Sequence, residues 1–172
     1  EPAYKYRLSI NWNDKEYKSE YLSPLDTPAI DSISVESPAS ENPVYICVTT
    51  HDNELEPTYY KWSYREIWEF NADLFANAGY LNDKFYMFER HTSQNTYYCW
   101  GRDSSKVMLL ATTDKLTENL IYEKELIEIP RDHDKLKILY YIEVQQNRIR
   151  KEAYEYFKNI QRNIEQTGSI FS

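Results

Sequence analysis

The stretch YKWSYREIWEF, residues 60–70, constrains the fold more than any other part of the chain. Large rings recur there at every second position, and Glu66 is the one interruption; the rings belong to Tyr60, Trp62, Tyr64, Trp68 and Phe70. Successive side chains of a β-strand point to opposite faces, so these rings share one face and the polar residues between them share the other. We expect the aromatic face to be core, with Trp68 and Phe70, beyond Glu66, the pair that escapes burial.

The same two-residue alternation recurs along the chain and predicts a mainly β protein. With 16% aromatic residues, including 17 tyrosines, the composition favours strands. A hairpin is predicted over Tyr4–Tyr21, turning at Asn13, Asp14 and Lys15. Further strands are predicted near Ile33 and Val35, and over residues 44–51, 58–70, 84–90, 96–100, 106–112, 126–129 and 136–146.

Two segments have helical patterns. Residues 151–166 place Ala153, Phe157, Ile160 and Ile164 at spacings of four, three and four, with Gly168 as a stop signal. Residues 71–79 have the cap asparagine and closing glycine of a helix of about two turns. A short helix ahead of the strand at 126–129 is left open. The predicted fold is an antiparallel β-sandwich-like domain with a C-terminal amphipathic helix packed on it.

Composition and charge exclude several classes of function. The net charge is −8 and the cations form no block, so we predict no nucleic-acid partner. Three glycines could hardly make a phosphate-binding loop, and no serine has the surroundings of a nucleophile. The acidic clusters at 52–56 and 131–134 lack the pattern of a calcium loop and suit solvated turns. No spacing singles out a carboxylate pair or histidine ligands, so we predict no enzyme, no cofactor and no metal.

Two sets of residues remain as candidates. Exposed rings stack on sugars and peptides, and we take Trp68, Phe70 and Trp100 as candidate ligand-binding residues for a glycan or a peptide. Cys47 and Cys99 lie far apart in sequence; they could form one disulfide in an oxidising compartment or remain two separate buried residues.

Several stretches, in this order and over nearly the whole chain, resemble one family. They are YRLSINWNDKEYKSEY followed by PAIDSI, then YYKWSYREIWEF, YYCW, YYIEVQQ and EAYEYFKNIQRNIEQTGSIF. This combination resembles the Bacteroidetes exported lipoproteins that share domain of unknown function 4249. The resemblance implies the C-terminal portion of a longer protein. Residues 1–27 would then be the closing hairpin of a preceding β-sandwich, and residues 28–172 the antiparallel β domain with its helix, divided at the Pro24–Pro28 linker.

The resemblance also implies a cellular location and a partner protein. We expect an outer-membrane protein on the cell surface, held by a lipid anchor upstream of this chain. Its partner would be a TonB-dependent outer-membrane transporter or another membrane protein. The expected function is therefore a non-enzymatic accessory module that binds a ligand or docks on the transporter. A purely structural scaffold subunit is the second hypothesis, and a hydrolase acting on glycan or peptide is the third.

Overall fold

The computed structural model describes residues 4–39, 42–74, 78–87 and 97–168. Antiparallel strands dominate, and one helix follows the last of them, which confirms the predicted fold class. The strands are β1 Ser9–Trp12, β2 Lys15–Lys18, β3 Ile30–Glu36, β4 Val44–His51, β5 Tyr59–Asn71, β6 Ala78–Leu81, β7 Lys84–Met87, β8 Tyr98–Ser104, β9 Leu109–Thr112, β10 Leu120–Ile129 and β11 Leu139–Ile149. A 3₁₀ turn spans Asp134–Leu136, and helix α1 spans Lys151–Gly168.

Two sheets form the body of the described chain. The first has three strands in the order β10-β4-β3. The second has the order β11-β5-β8, and β9 also pairs with β5. Strand β5 is therefore the centre of the second sheet: β11 pairs with it from Leu139 to Ile149 on one side, while β8 and β9 follow one another along the other side.

The core lies between the two sheets, because buried side chains from both sheets belong to one cluster. Its members are Ile46, Val48, Tyr60, Trp62, Ile121, Leu126, Ile127 and Ile129. Tyr60 and Trp62 stack with ring centroids 5.3 Å apart, and both are fully buried. The first half of the aromatic face of β5 is thus core, as its alternation predicts.

The amide of Gln146 on β11 connects the two sheets. Its oxygen accepts a hydrogen bond of 2.7 Å from the Trp62 indole, and its nitrogen donates to the hydroxyl of Thr50 on β4 at 2.9 Å. The same nitrogen donates to the Pro28 carbonyl at 2.8 Å. A buried amide is costly unless its groups are paired, so this network favours one relative position of the sheets.

Helix α1 packs on the outer face of the second sheet, away from the core. Tyr154 contacts Tyr59 with ring centroids 5.3 Å apart, and the Lys61 ammonium lies 4.5 Å from the centroid of the Phe157 ring. Tyr59 and Lys61 alternate with the buried Tyr60, so the helix covers the opposite face of β5. The prediction that Ile164 also docks is wrong, because its side chain is 62% exposed.

The hairpin β1–β2 confirms the predicted turn. Asn13 and Asp14 both have positive φ, at 47° and 58°, which is the conformation of a tight type I′ hairpin turn. All the described residues of the two strands are exposed, including Ile10 and Trp12. The division into residues 1–27 and 28–172 stays a prediction.

The helix predicted over residues 71–79 is wrong at its described positions. Asn71 is the last residue of β5 and pairs with Tyr98, while Ala78 and Gly79 belong to β6; residues 75–77 lie outside the described residues. Cross-strand pairing outweighs the local capping signal here. Residues 114–119 form a turn without a helix, so the open alternative before β10 is also excluded.

Cys47 is a buried free thiol, so a disulfide to Cys99 is absent. It lies between Ser34 and Glu125 in the middle of the first sheet, on the face opposite to the core residues Ile46 and Val48. Cys99 is on the second sheet, opposite Phe70. A disulfide needs the two Cα atoms within about 7 Å, which two cysteines on opposite sheets, one facing away, do not satisfy.

Candidate functional site

Glu66, the interruption in the aromatic face of β5, is a buried charge with two partners. Its side chain is 1% exposed. Lys135 of the 3₁₀ turn donates from Nζ to Oε1 at 2.6 Å, and the Tyr140 hydroxyl on β11 donates to Oε2 at 2.7 Å. Burial of the Tyr140 ring and its hydrogen bond to the carboxylate raise the pKa of this phenol well above its ordinary value.

The polar groups of this cluster bond one another and stabilise the fold. Both carboxylate oxygens of Glu66 already accept a hydrogen bond, and Lys135 is only 13% exposed. Neither charged group is therefore free of partners for a reaction with a substrate. The pair instead ties the 3₁₀ turn to the centre of the second sheet, where an unpaired buried carboxylate would be very costly.

Trp68 lies on the same face as Glu66, and other residues of the protein pack against its ring. The residue opposite it on β8 is Gly101, where a Cβ would stand 2.1 Å from Cε2 of the indole. The Lys135 ammonium lies 5.0 Å from the centroid of the ring, and the His133 ring meets it edge-on at 6.3 Å. Trp68 is therefore a packing residue of the second sheet.

The structure separates the three residues predicted to bind a ligand. Phe70 pairs with Cys99 on the inner face, next to Trp68, and is half-buried. Trp100 pairs with Glu69, so its ring points to the outer face, where it is 62% exposed. A ligand on one face could meet Trp100, or Trp68 and Phe70, but not all three. Ligand binding by any of them stays a prediction.

Trp100 has apolar and cationic neighbours on that outer face, which we call the outer-face patch: Arg65, Ile67, Trp100, Arg102, Leu139 and Tyr141. Register assembles it, because Ile67 lies opposite Arg102 on β8 and opposite Tyr141 on β11. Leu139 and Trp100 flank Glu69 in the next row. The four apolar or aromatic side chains are between 44% and 62% exposed. An exposed apolar group of this kind on a sheet is typical of an interaction site.

The side of the patch next to β8 is an open depression of about 710 Å³. Arg65, Ile67, Trp100, Arg102 and Ser104 are among its lining residues. Within the described ranges, neither guanidinium has an acidic partner within 4 Å. The depression thus combines a flat ring with two guanidiniums, while the acidic residues Glu66 and Asp103 also belong to its lining.

The ring and cation contacts of helix α1 with this face, among the described side chains, lie at its other end, at Tyr59 and Lys61. Ile67 is six residues further along β5 than Lys61, about 20 Å away at the rise of a strand. Sequence reasoning found Trp100 but missed Ile67, Leu139 and Tyr141. Each is one apolar residue in an alternating strand, and only the pairing of three distant strands brings them together.

The described residues contain neither a metal-binding cluster nor a membrane-spanning helix. No group of three or more histidine, cysteine or acidic side chains is arranged to hold a metal ion there. In the same part of the chain, no helix has the length and apolar character that crossing a bilayer requires.

Fold and patch together define a two-sheet antiparallel β protein with a C-terminal helix and an exposed aromatic and cationic sheet face. The chain belongs to the family described as Domain of unknown function (DUF4249), whose model matches residues 1–172. The match confirms the family that the sequence resembles, domain of unknown function 4249. No curated protein and no solved structure matches the chain.

The buried pair of Glu66 and Lys135 leads to a prediction on stability. Replacing Lys135 by methionine leaves the buried carboxylate without its cation, which should lower the free energy of unfolding by about 3–5 kcal/mol. The double variant with Glu66→Leu should recover most of the loss, because it removes the unpaired charge. Urea unfolding measures both, and Lys106→Met, which breaks only the exposed pair with Asp103, is the matched control. Equal stability of the Lys135 and Lys106 variants would contradict the assignment.

The contact of Trp68 with Gly101 leads to a second prediction. Gly101→Ala should lower the free energy of unfolding by about 1–3 kcal/mol, because its Cβ has no room beside the indole. In a Trp68→Ala background the same change should cost much less, which a double-mutant cycle of thermal or urea unfolding measures. A cost that is the same in both backgrounds would show that the indole is not packed on Gly101.

Proposed function

We propose that the chain is a non-enzymatic recognition module of an outer-membrane lipoprotein, which binds its partner through the outer-face patch. The surface location and the accessory role to a TonB-dependent transporter come into this proposal from the family resemblance. The patch adds the part of the molecule that does the binding.

The observation that supports the proposal is the uncovered half of one sheet face. On the outer face of the second sheet, α1 shields one end, and Ile67, Trp100, Leu139 and Tyr141 lie in solvent at the other. Apolar side chains that lie together in solvent confer no stability on the isolated chain and favour association. A ring beside unpaired arginines is the composition found in the energetic centres of interfaces.

The inner polar cluster supports binding over hydrolysis. Glu66 is a buried carboxylate, and both of its oxygens accept hydrogen bonds from neighbouring side chains, those of Lys135 and Tyr140. A hydrolase needs its acid and its base beside a substrate in a cleft. The outer-face patch has room for a partner but offers arginines and rings, which bind and orient a ligand.

The test is to replace Trp100 by alanine and to measure binding on glycan and peptide arrays, and in co-purification with outer-membrane transporters. A ring at the centre of an interface is worth about 2 kcal/mol or more, so we expect affinity to fall by about 30-fold. Trp12→Ala is the matched control, because its ring on β1 is equally exposed but lies outside the patch.

Two results would contradict the proposal. Loss of binding with Trp12→Ala and none with Trp100→Ala would place the site elsewhere. Turnover of an array ligand, abolished by one carboxylate substitution, would show an enzyme instead. Co-purification with a transporter without any array hit, and sensitive to Trp100→Ala, would identify the partner as protein alone.

A further inference from the structure

Among the described strands, β8 is paired on one side only, and we call its other side, beside the outer-face patch, the free edge. The Ala72 amide donates to the Tyr97 carbonyl at 2.8 Å, and the Ser105 amide donates to the Tyr64 carbonyl at 3.0 Å. Backbone groups of an antiparallel strand alternate in direction, so residues 97, 99, 101, 103 and 105 turn theirs to β5. The backbone N–H and C=O of Trp100 and Arg102 therefore point away from β5. In the part of the chain that the structure describes, no strand other than β5 pairs with β8.

The outer face carries charges of both signs, and the charge nearest the edge is positive. Arg102 lies on β8 and Arg65 on β5, both without an acidic partner within 4 Å among the described residues. The carboxylates of this face are Glu69 on β5, opposite Trp100, and Glu143 on β11, opposite Arg65. Arg102 is the one charged side chain that β8 itself places on the outer face, so a ligand at the edge of β8 meets a guanidinium first.

A free strand edge and two free guanidiniums select a particular occupant. An extended peptide added at the edge would run about 4.8 Å from β8 and would pair with the backbone of Trp100 and Arg102. Every second side chain of that peptide would lie on the outer face, in line with Trp100 and Arg102. A carboxylate at these positions could take the two-pronged hydrogen bond that arginine offers.

We propose that the outer-face patch receives an extended acidic peptide segment of a protein partner, which adds as a strand to the free edge of β8. Carboxylates of the segment pair with Arg102, and Arg65 supplies the second positive charge. This rests on the proposed function and specifies the chemistry of its partner. An anionic sugar chain would meet the same arginines but has no backbone to pair with the edge, so the edge favours the peptide.

The test uses two synthetic eight-residue peptides, one of alternating aspartate and valine and one of alternating lysine and valine, with oligogalacturonate as the anionic sugar. Titration calorimetry with this chain measures their affinities. We expect the acidic peptide to bind and the basic one to bind at least about tenfold more weakly, with affinity falling as salt is raised. Arg102→Glu should weaken the acidic peptide by at least about tenfold. Lys115→Glu is the control, since it makes the same charge change on an exposed turn and should leave affinity within about twofold.

Pairing with the edge has its own readout. Arg102→Ala removes the guanidinium alone, whereas Arg102→Pro also removes the backbone N–H. Because this N–H points away from β5, the edge strand tolerates proline at position 102. We expect the proline variant to bind the acidic peptide about tenfold more weakly than the alanine variant, since it loses a backbone hydrogen bond as well. Independently of any variant, the peptide should slow hydrogen exchange at the amides of Trp100 and Arg102.

Equal affinity for both peptides, or no slowing of exchange at Trp100 and Arg102, would overturn the inference. Binding of oligogalacturonate without binding of the acidic peptide would also overturn it, while leaving the proposed function intact if Trp100→Ala abolishes that binding. The proposed function itself would fail only if Trp100→Ala left binding unchanged, or if turnover of a ligand showed an enzyme.

Discussion

The register between β5 and β11 is the constraint on which the rest of the molecule depends. Eleven consecutive pairs, from Leu139 with Glu69 to Ile149 with Tyr59, run without a shift. Because side chains alternate with a period of two, a slip by one residue would move Trp62 into solvent and Ile67 into the core. The inner face would then lose the Trp62 hydrogen bond to Gln146, and with it the link between the two sheets. One register therefore defines both the core and the outer-face patch.

Glu66, a charged residue in the middle of this inner face, favours one arrangement of the residues around it. Glu66 accepts hydrogen bonds from Lys135 and Tyr140, and the Lys135 ammonium lies over the ring of Trp68. An apolar residue at this position could pack without them, but it would leave the 3₁₀ turn without its tether. The cost of burying a carboxylate is offset only when both partners are in place, which makes the local arrangement selective. Trp68, half-buried beneath Lys135 and beside Gly101, is packed on the inner face by the same cluster.

Much of the fold follows from local patterns in the sequence. The alternation over residues 60–70 and 136–146 predicts strands, and residues 13–15 predict a tight hairpin turn. The spacing of Ala153, Phe157, Ile160 and Ile164 predicts a helix that docks, although Ile164 itself is exposed. The helix over 71–79 is wrong because its capping residues compete with cross-strand pairing of Asn71 and Gly79, which a local pattern does not show. The site is less predictable. Lys135 lies 69 residues from Glu66, and the members of the outer-face patch come from three strands whose order depends on tertiary pairing.

The two faces of the second sheet have different environments: one faces the core, and the other carries the exposed outer-face patch. Oxidation of tryptophans by N-bromosuccinimide under native conditions, followed by mass spectrometry of the peptides, tests it directly. The four tryptophans are reporters of known position: Trp100 and Trp12 are exposed, Trp62 is fully buried and Trp68 is half-buried under its neighbours. The account predicts rapid modification of Trp100 and Trp12, slow modification of Trp68, and none of Trp62 before unfolding. Rapid modification of Trp68 or Trp62 with protection of Trp100 would show the opposite face outward and would contradict the account.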